Sequence, residues 1–154
     1  MSAHGAIIEW KRGDQPFIDK RYSRAHIWTF DGGAVVRGSS APASVPLPMS
    51  DATAVDPEEA MIASLSSCHM LWFLAFAANA RLTLDSYRDE ASGELDKDEA
   101  GNRYLARVTL RPVTTFTGRQ PDQAELDALH HAAHAHCEMA HSVRATITVE
   151  ATLG

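Results

Sequence analysis

Cys68 and Cys137 are the residues of this chain best suited to covalent chemistry. A thiolate is a strong nucleophile and metal ligand, whereas a thiol packed among apolar groups is inert. Two cysteines in 154 residues do not make a disulfide scaffold. Packing, metal ligation and redox work remain. Cys68 lies in Ser66-Ser67-Cys68-His69, inside a long apolar segment. Its small neighbours Ala63, Ser64, Ser66 and Ser67 leave space beside the sulfur, which suits a substrate or close helix packing equally. Cys137 ends a second helix-like segment, His134-Ala135-His136-Cys137-Glu138. If the two helices pack together, a single bridge can join them.

Peroxide reduction by such a pair has three requirements. The attacking sulfur must be a thiolate, and a neighbouring cation must bring its pKa from about 8.5 into the range of roughly 3.5–7.5. A second thiol must then trap the sulfenic acid as a disulfide before over-oxidation. Arginine suits the cation's role because it stays charged and can also hydrogen-bond a carboxylate.

The histidines supply a rival chemistry. His130, His131, His134, His136 and His141 crowd around Cys137. On a continuous helix His134, Cys137 and His141 would share a face, and His and Cys together bind zinc. The spacing matches no standard zinc motif, and a helix ending near Cys137 would scatter the set. An exposed polar face is the plainer reading. No Gly-x-Ser-x-Gly elbow and no glycine-rich phosphate loop is present, so neither a serine hydrolase nor a nucleotide-binding enzyme is indicated.

Stepping outward, the length fits one domain, residues 1–154, with a core of its own. Apolar residues make up 45% and charged residues 22%, ordinary for a globular protein. A net charge of −6, with no run of Lys or Arg longer than two, argues against a nucleic-acid partner. The N-terminus lacks the charged and apolar regions of a secretory signal. The longest strictly apolar run, Met70 to Ala78, has nine residues against the roughly 20 of a membrane span. The expectation is a cytoplasmic protein without a membrane partner or a cofactor.

Positioning falls to a β-β-β-α-β-β-α-β order. Ala6–Trp10 reads as a first strand. Arg24–Phe30 and Ala34–Arg37 flank Asp31-Gly32-Gly33 as a hairpin. Gly38–Val55, with its three prolines, reads as an extended loop. A helix starts at Asp56-Pro57-Glu58-Glu59, where Asp56 caps, Pro57 takes the first turn and Glu59 completes a capping box. It runs to about Asn79, apolar nearly all round, which predicts burial on all sides with help from a partner subunit. Leu84–Leu95 and Arg103–Phe116 are strand-like around a polar tip at Asp96–Asn102. A second helix runs from Pro121-Asp122 to between His136 and Ala140, with Leu126 and Leu129 on one face. Ser142–Leu153 closes as a strand with Val143, Ala145, Ile147 and Val149 inward. Hairpins dominate, so the class is α+β with largely antiparallel sheets around long buried helices.

Together these features resemble the OsmC/Ohr family, the osmotically inducible and organic hydroperoxide resistance proteins. Asp56-Pro57-Glu58-Glu59 followed by Ser66-Ser67-Cys68 is similar to the family's Asn-Pro-Glu-Glu/Gln helix start, with its cysteine ten residues after the first glutamate. The second cysteine before a closing strand and the element order also fit. The sequence departs from the family pattern in two places. Glu138-Met139-Ala140 follows the second cysteine where Pro and a small polar residue are usual, and His69 stands where Phe is common.

The resemblance implies an OsmC-like intertwined homodimer and a thiol-dependent peroxidase acting on organic hydroperoxides. Cys68 takes the peroxidatic role, Cys137 the resolving role and Glu58 the role of the site glutamate. The site arginine falls on Arg24, with Arg37 as the alternative. The implied reductant is a dithiol, such as a dihydrolipoyl protein. Ten residues of unbroken helix span about 15 Å, so Glu58 cannot touch Cys68 of its own helix. If it serves the site, a second subunit must supply it or the helix must be broken. Met61, Leu65, Trp72 and Phe73 would favour an organic peroxide, unless they are core. A non-catalytic dimer of the same fold and a His/Cys metal-binding protein are the alternatives.

Overall fold

The computed structural model describes every residue from Met1 to Gly154. The chain forms two compact units, Met1–Ala60 and Met61–Gly154. In the first, strands β1 (Ala6–Glu9), β2 (His26–Phe30) and β3 (Val35–Gly38) form an antiparallel sheet in chain order. Gly33, at φ 88°, makes the tight β2–β3 turn that the Asp-Gly-Gly sequence predicts. Gly38 meets a different constraint, because a Cβ there would lie 2.5 Å from the Trp28 indole nitrogen and 2.6 Å from His26 Nε2. Residues 39–54 contain no regular element, as the prolines dictate.

Helix α1 (Pro57–Asn79) begins on the reciprocal cap read from the sequence. Glu59 N–H donates to Asp56 Oδ1 at 2.8 Å, and Asp56 N–H donates to Glu59 Oε2 at 3.2 Å. Within one chain α1 buries a single stripe, Leu65, His69, Phe73 and Ala77, at the four-residue spacing of one helix face. Burial on all sides is therefore not reached by the chain alone. Met61 stays 43% exposed and Leu71 59% exposed. By length and composition α1 also suffices to cross a bilayer. A count of uninterrupted apolar residues misses this, because Ser64, Ser66, Ser67 and His69 break the run. Its stripe nevertheless packs into the core of the second unit, as a core helix does.

The second unit holds β4 (Thr83–Asp89), β5 (Ser92–Lys97), β6 (Arg103–Leu110), β7 (Pro112–Thr117), α2 (Gln123–His136), α3 (Glu138–His141), β8 (Thr146–Val149) and β9 (Thr152–Leu153). Each of the three long strand segments read from the sequence is divided in two. The division sends alternate pieces to two sheets, ordered β4-β7-β9 and β5-β6-β8. Pro112 marks one break, since it has no N–H to continue a ladder. Asp89 Oδ1 accepts the Arg111 N–H there at 2.6 Å. The long neighbouring pairs are antiparallel, while β6–β8 and β7–β9 are parallel. A parallel return needs a crossover, and α2, lying between β7 and β8, provides it.

Phe73, Ala77, Leu126, Leu129, Ala133 and Phe116 form one apolar cluster, which joins α1 to α2. Leu65, Val108 and Leu110 form another, with Val143, Ala145, Ile147 and Val149 packed on it as the alternation predicts. Inside the α1–α2 contact, His69 Nε2 and His130 Nδ1 share a hydrogen bond at 2.9 Å, and the His130 ring stacks on Phe73. The outer nitrogens, His69 Nδ1 and His130 Nε2, are buried without partners. Burial brings both pKa values down to about 4, assisted at His69 by the His134 charge and at His130 by the His69 charge.

Both imidazoles are therefore neutral in the folded protein and ionise near pH 6.5 once unfolded. Below pH 6.5 the unfolded chain binds protons that the folded chain refuses, so stability falls steadily from pH 6.5 towards 4. Thermal melting between pH 7 and pH 4.5 should show this slope, and His130→Asn should flatten it. The cap makes a separate prediction. Asp56→Ala should cost about 1 kcal/mol in urea denaturation, the usual value of a helix N-cap.

Candidate functional site

Two helix positions deliver the sulfurs. Cys68 precedes His69 on α1 and is half-buried, while Cys137 is 1% exposed. Cys137 ends α2 because its backbone turns extended, with φ −70° and ψ 109°. Its sulfur then caps α3, accepting the Ala140 N–H at 3.4 Å. The Cys137 side chain lies near enough to Cys68 to push its thiol pKa up. Both are free thiols.

Glu138 completes the cluster. Cys68 Sγ donates to Glu138 Oε2 at 3.5 Å, and Trp72 Nε1 donates to the same oxygen at 3.0 Å. Trp72 stands one turn along α1 from Cys68, so both reach the carboxylate from one face. The indole is held between Phe76, centroids 5.7 Å apart, and His136 at 5.2 Å.

These surroundings disfavour the thiolate. Burial pushes the Cys68 thiol up, the Met139 N–H opposes it, and the Cys137 and Glu138 side chains raise it again, to about 11. None of these influences is a cation. The Glu138 carboxyl is held below its usual range, first by the Trp72 indole and then by its own backbone N–H and the Cys68 thiol.

Arg24 and Glu58 belong to the first unit. The Arg24 backbone is fixed on both sides: its N–H donates to Met49 O at 2.8 Å, and its carbonyl accepts from His26 Nδ1 at 2.7 Å. The Trp28 indole donates to His26 Nε2 at 2.6 Å, which leaves the imidazole proton on Nδ1. The close pass of Gly38 against this pair explains why a side chain is excluded there. The guanidinium lies 3.9 Å over the Tyr22 ring and donates to the Lys20 and Tyr22 carbonyls at 2.8 and 2.5 Å. Trp10, Phe17 and Tyr22 pack on one another, and with Arg24 they line an open apolar cavity of about 430 Å³. No carboxylate is among the partners of Arg24. Arg37, the alternative arginine, is paired with Asp51 and donates to Thr53 Oγ1 at 3.1 Å. Glu59 is committed to the helix cap, and Glu58 beside it is half-buried in the first turn of α1.

The histidines do not act as a set. His130 is core, not surface. His136 Nδ1 and His141 Nε2 bond to the carbonyls of Ala132 and Ala135, each at 2.9 Å. The break at Cys137 removes the common face that an unbroken helix would give His134, Cys137 and His141. No three such side chains converge as metal ligands would. Leu65 and Phe73, at 1% and 0% exposure, are core residues, and Met61 is exposed.

In the sequence Glu138 stands out only as a departure from the family pattern and Trp72 only as an apolar neighbour. The signal for Glu138 is its place directly after Cys137. For Trp72 it is the four-residue step from Cys68.

The family model described as OsmC-like protein matches residues 50–152. No curated protein matches the chain. Among solved structures, an OsmC-like protein of unknown function from Vibrio cholerae is 45% identical over 99% of this chain and 100% of its own, with a TM-score of 0.96. The organic hydroperoxide resistance protein OhrB of Bacillus subtilis shares the fold at 21% identity, over 99% of this chain and 98% of its own, with a TM-score of 0.66. An organic hydroperoxide resistance protein from Elizabethkingia anophelis does so at 17% identity, over 100% and 96%, with a TM-score of 0.73. The helix cap, the cysteine ten residues on, the α+β architecture and these likenesses agree: the chain belongs to the OsmC/Ohr family.

Proposed function

We propose that this protein is a thiol-dependent peroxidase that reduces organic hydroperoxides to alcohols. The observation that carries this reading is that Cys68 on α1 meets the Cys137-Glu138 segment at the end of α2, where Cys68 Sγ donates to Glu138 Oε2 at 3.5 Å. The Cys68 thiolate attacks the distal peroxide oxygen, the O–O bond breaks, and the alkoxide leaves and takes a proton to become the alcohol. Cys68 is now a sulfenic acid. The Cys137 sulfur attacks it, water departs, and the Cys68–Cys137 disulfide remains. A dithiol, such as a dihydrolipoyl protein, restores both thiols by exchange. A cytoplasmic setting, which keeps dithiols reduced, suits this cycle.

The thiolate needs a cation that the immediate neighbours of Cys68 do not supply. Arg24 fills that role, oriented by Glu58. Its backbone is fixed, and within one chain its guanidinium meets only the Lys20 and Tyr22 carbonyls and the Tyr22 ring. The rise of about 15 Å between Glu58 and Cys68 keeps Glu58 from the Cys68 of its own helix, so in this reading the pair serves a Cys68 of another copy. A homodimer of single OsmC-like domains, each residues 1–154, provides this. Supporting it are the exposed apolar residues Met61, Leu71 and Leu74 of α1 and Ile7, Ile8 and Val35 of the first sheet, surfaces that one chain leaves uncovered. The upward pull on Cys68 favours a rival, a dimer that keeps the fold without turnover.

One equivalent of an organic hydroperoxide, added to reduced protein, should give a Cys68–Cys137 cross-linked peptide by mass spectrometry. Cys68→Ser should abolish peroxide consumption. Cys137→Ser should allow a single turnover and leave Cys68 over-oxidised. Arg24→Ala should slow the reaction tenfold or more and raise the Cys68 pKa. No thiol loss in the unaltered protein would sink the peroxidase reading in favour of the non-catalytic dimer.

A further inference from the structure

We infer that Glu138 sets the charge selectivity of Cys68, so that this sulfur reacts with uncharged electrophiles and turns away anionic ones. As applied to peroxides, the inference rests on the proposed peroxidase reading and narrows it to uncharged organic hydroperoxides.

Three features carry it. The carboxylate oxygen lies 3.5 Å from the sulfur, so any reagent approaching Cys68 also approaches this charge. The Trp72 N–H holds that same oxygen at 3.0 Å, and Phe76 and His136 hold the indole, so the carboxylate is fixed in place. The residue is also tied by sequence, since it directly follows Cys137 and opens α3, where an acidic side chain suits the helix. The titratable groups facing the cluster are Glu138 itself, Cys137 on the Cys68 side, and His141, which acts on Glu138. The indole, the backbone N–H and the Cys68 thiol all favour ionised Glu138, so the negative charge is present at neutral pH.

Two effects follow from one charge. A thiol that donates to a carboxylate is harder to ionise, because the proton must leave to solvent while a negative charge stays beside the sulfur. An anionic electrophile meets that charge as well. At about 4 Å through a water-like medium, one unit charge shifts an ionisation by roughly 0.7 of a pH unit, about fivefold.

Alkylation of Cys68 tests this without any peroxide. The thiolate displaces iodide from neutral iodoacetamide or anionic iodoacetate, and peptide mass spectrometry follows Cys68 separately from buried Cys137. At low ionic strength Glu138→Gln should lower the Cys68 pKa by roughly 0.7 unit and raise the iodoacetate-to-iodoacetamide rate ratio about fivefold. Glu138→Lys should raise the ratio further. Trp72→Phe, which frees the carboxylate but keeps its charge, should move it the same way by less. Added salt should narrow the gap between the unaltered protein and the variants. An unchanged ratio in both Glu138 variants would overturn the inference. Hydroperoxide consumption is scored separately: its absence in the unaltered protein defeats the peroxidase reading, while the alkylation ratio still judges Glu138.

Discussion

The site depends on how α1 lies against α2, and the hydrogen bond between His69 and His130 is the polar pin of that contact. Phe73, Ala77, Leu126, Leu129 and Ala133 supply the apolar area around it. Cys68 directly precedes the pinned residue on α1. Cys137 lies seven residues beyond His130, about two turns along the same face. Fixing the two imidazoles therefore brings Cys68 beside the Cys137-Glu138 segment. The bond needs one of the two facing nitrogens to be without a proton, and burial keeps both rings neutral. A core histidine pair thereby sets the register of two helices whose chemistry lies elsewhere.

The break after His136 is the second constraint. Had α2 continued, Cys137 would have joined a histidine face. Instead the backbone turns extended, the sulfur takes over the cap of α3, and Glu138 swings beside Cys68. The placing of the Glu138 carboxylate beside Cys68 comes from that single change of backbone direction. It also explains why the histidine-rich segment yields no metal centre: His136 and His141 bond to carbonyls of their own segment.

The electrostatics divide between the two units. In the second, Cys68 is surrounded by groups that raise its pKa. In the first, Arg24 sits on Tyr22 with its backbone fixed by Met49 and His26 and with no carboxylate to offset it. A sulfur in need of a cation and a cation without an anion are complementary. The apolar residues Met61, Leu71 and Leu74 of α1 and Ile7, Ile8 and Val35 of the first sheet stay exposed in one chain.

Much of the fold was legible in the sequence, because it rests on local rules. The Asp56–Glu59 cap, the Asp-Gly-Gly turn, the polar tip around Asp98 and the inward alternation from Val143 to Val149 all depend on near neighbours, and all appear as read. The family came from a resemblance in the helix-start motif, the two cysteines and the element order taken together. What local rules could not give was decided by packing between distant segments. Splitting the long strands requires a second sheet to receive the pieces, and the parallel β6–β8 and β7–β9 pairs require the α2 crossover. The burial of His130, the Trp72–Glu138 bond and the contact of Cys68 with Glu138 exist only once α1 and α2 are side by side. A sequence specifies which groups are present and how each turn begins and ends. Which of them meet is set by the three-dimensional fit of their surfaces, where a single break in one helix redirects every side chain that follows.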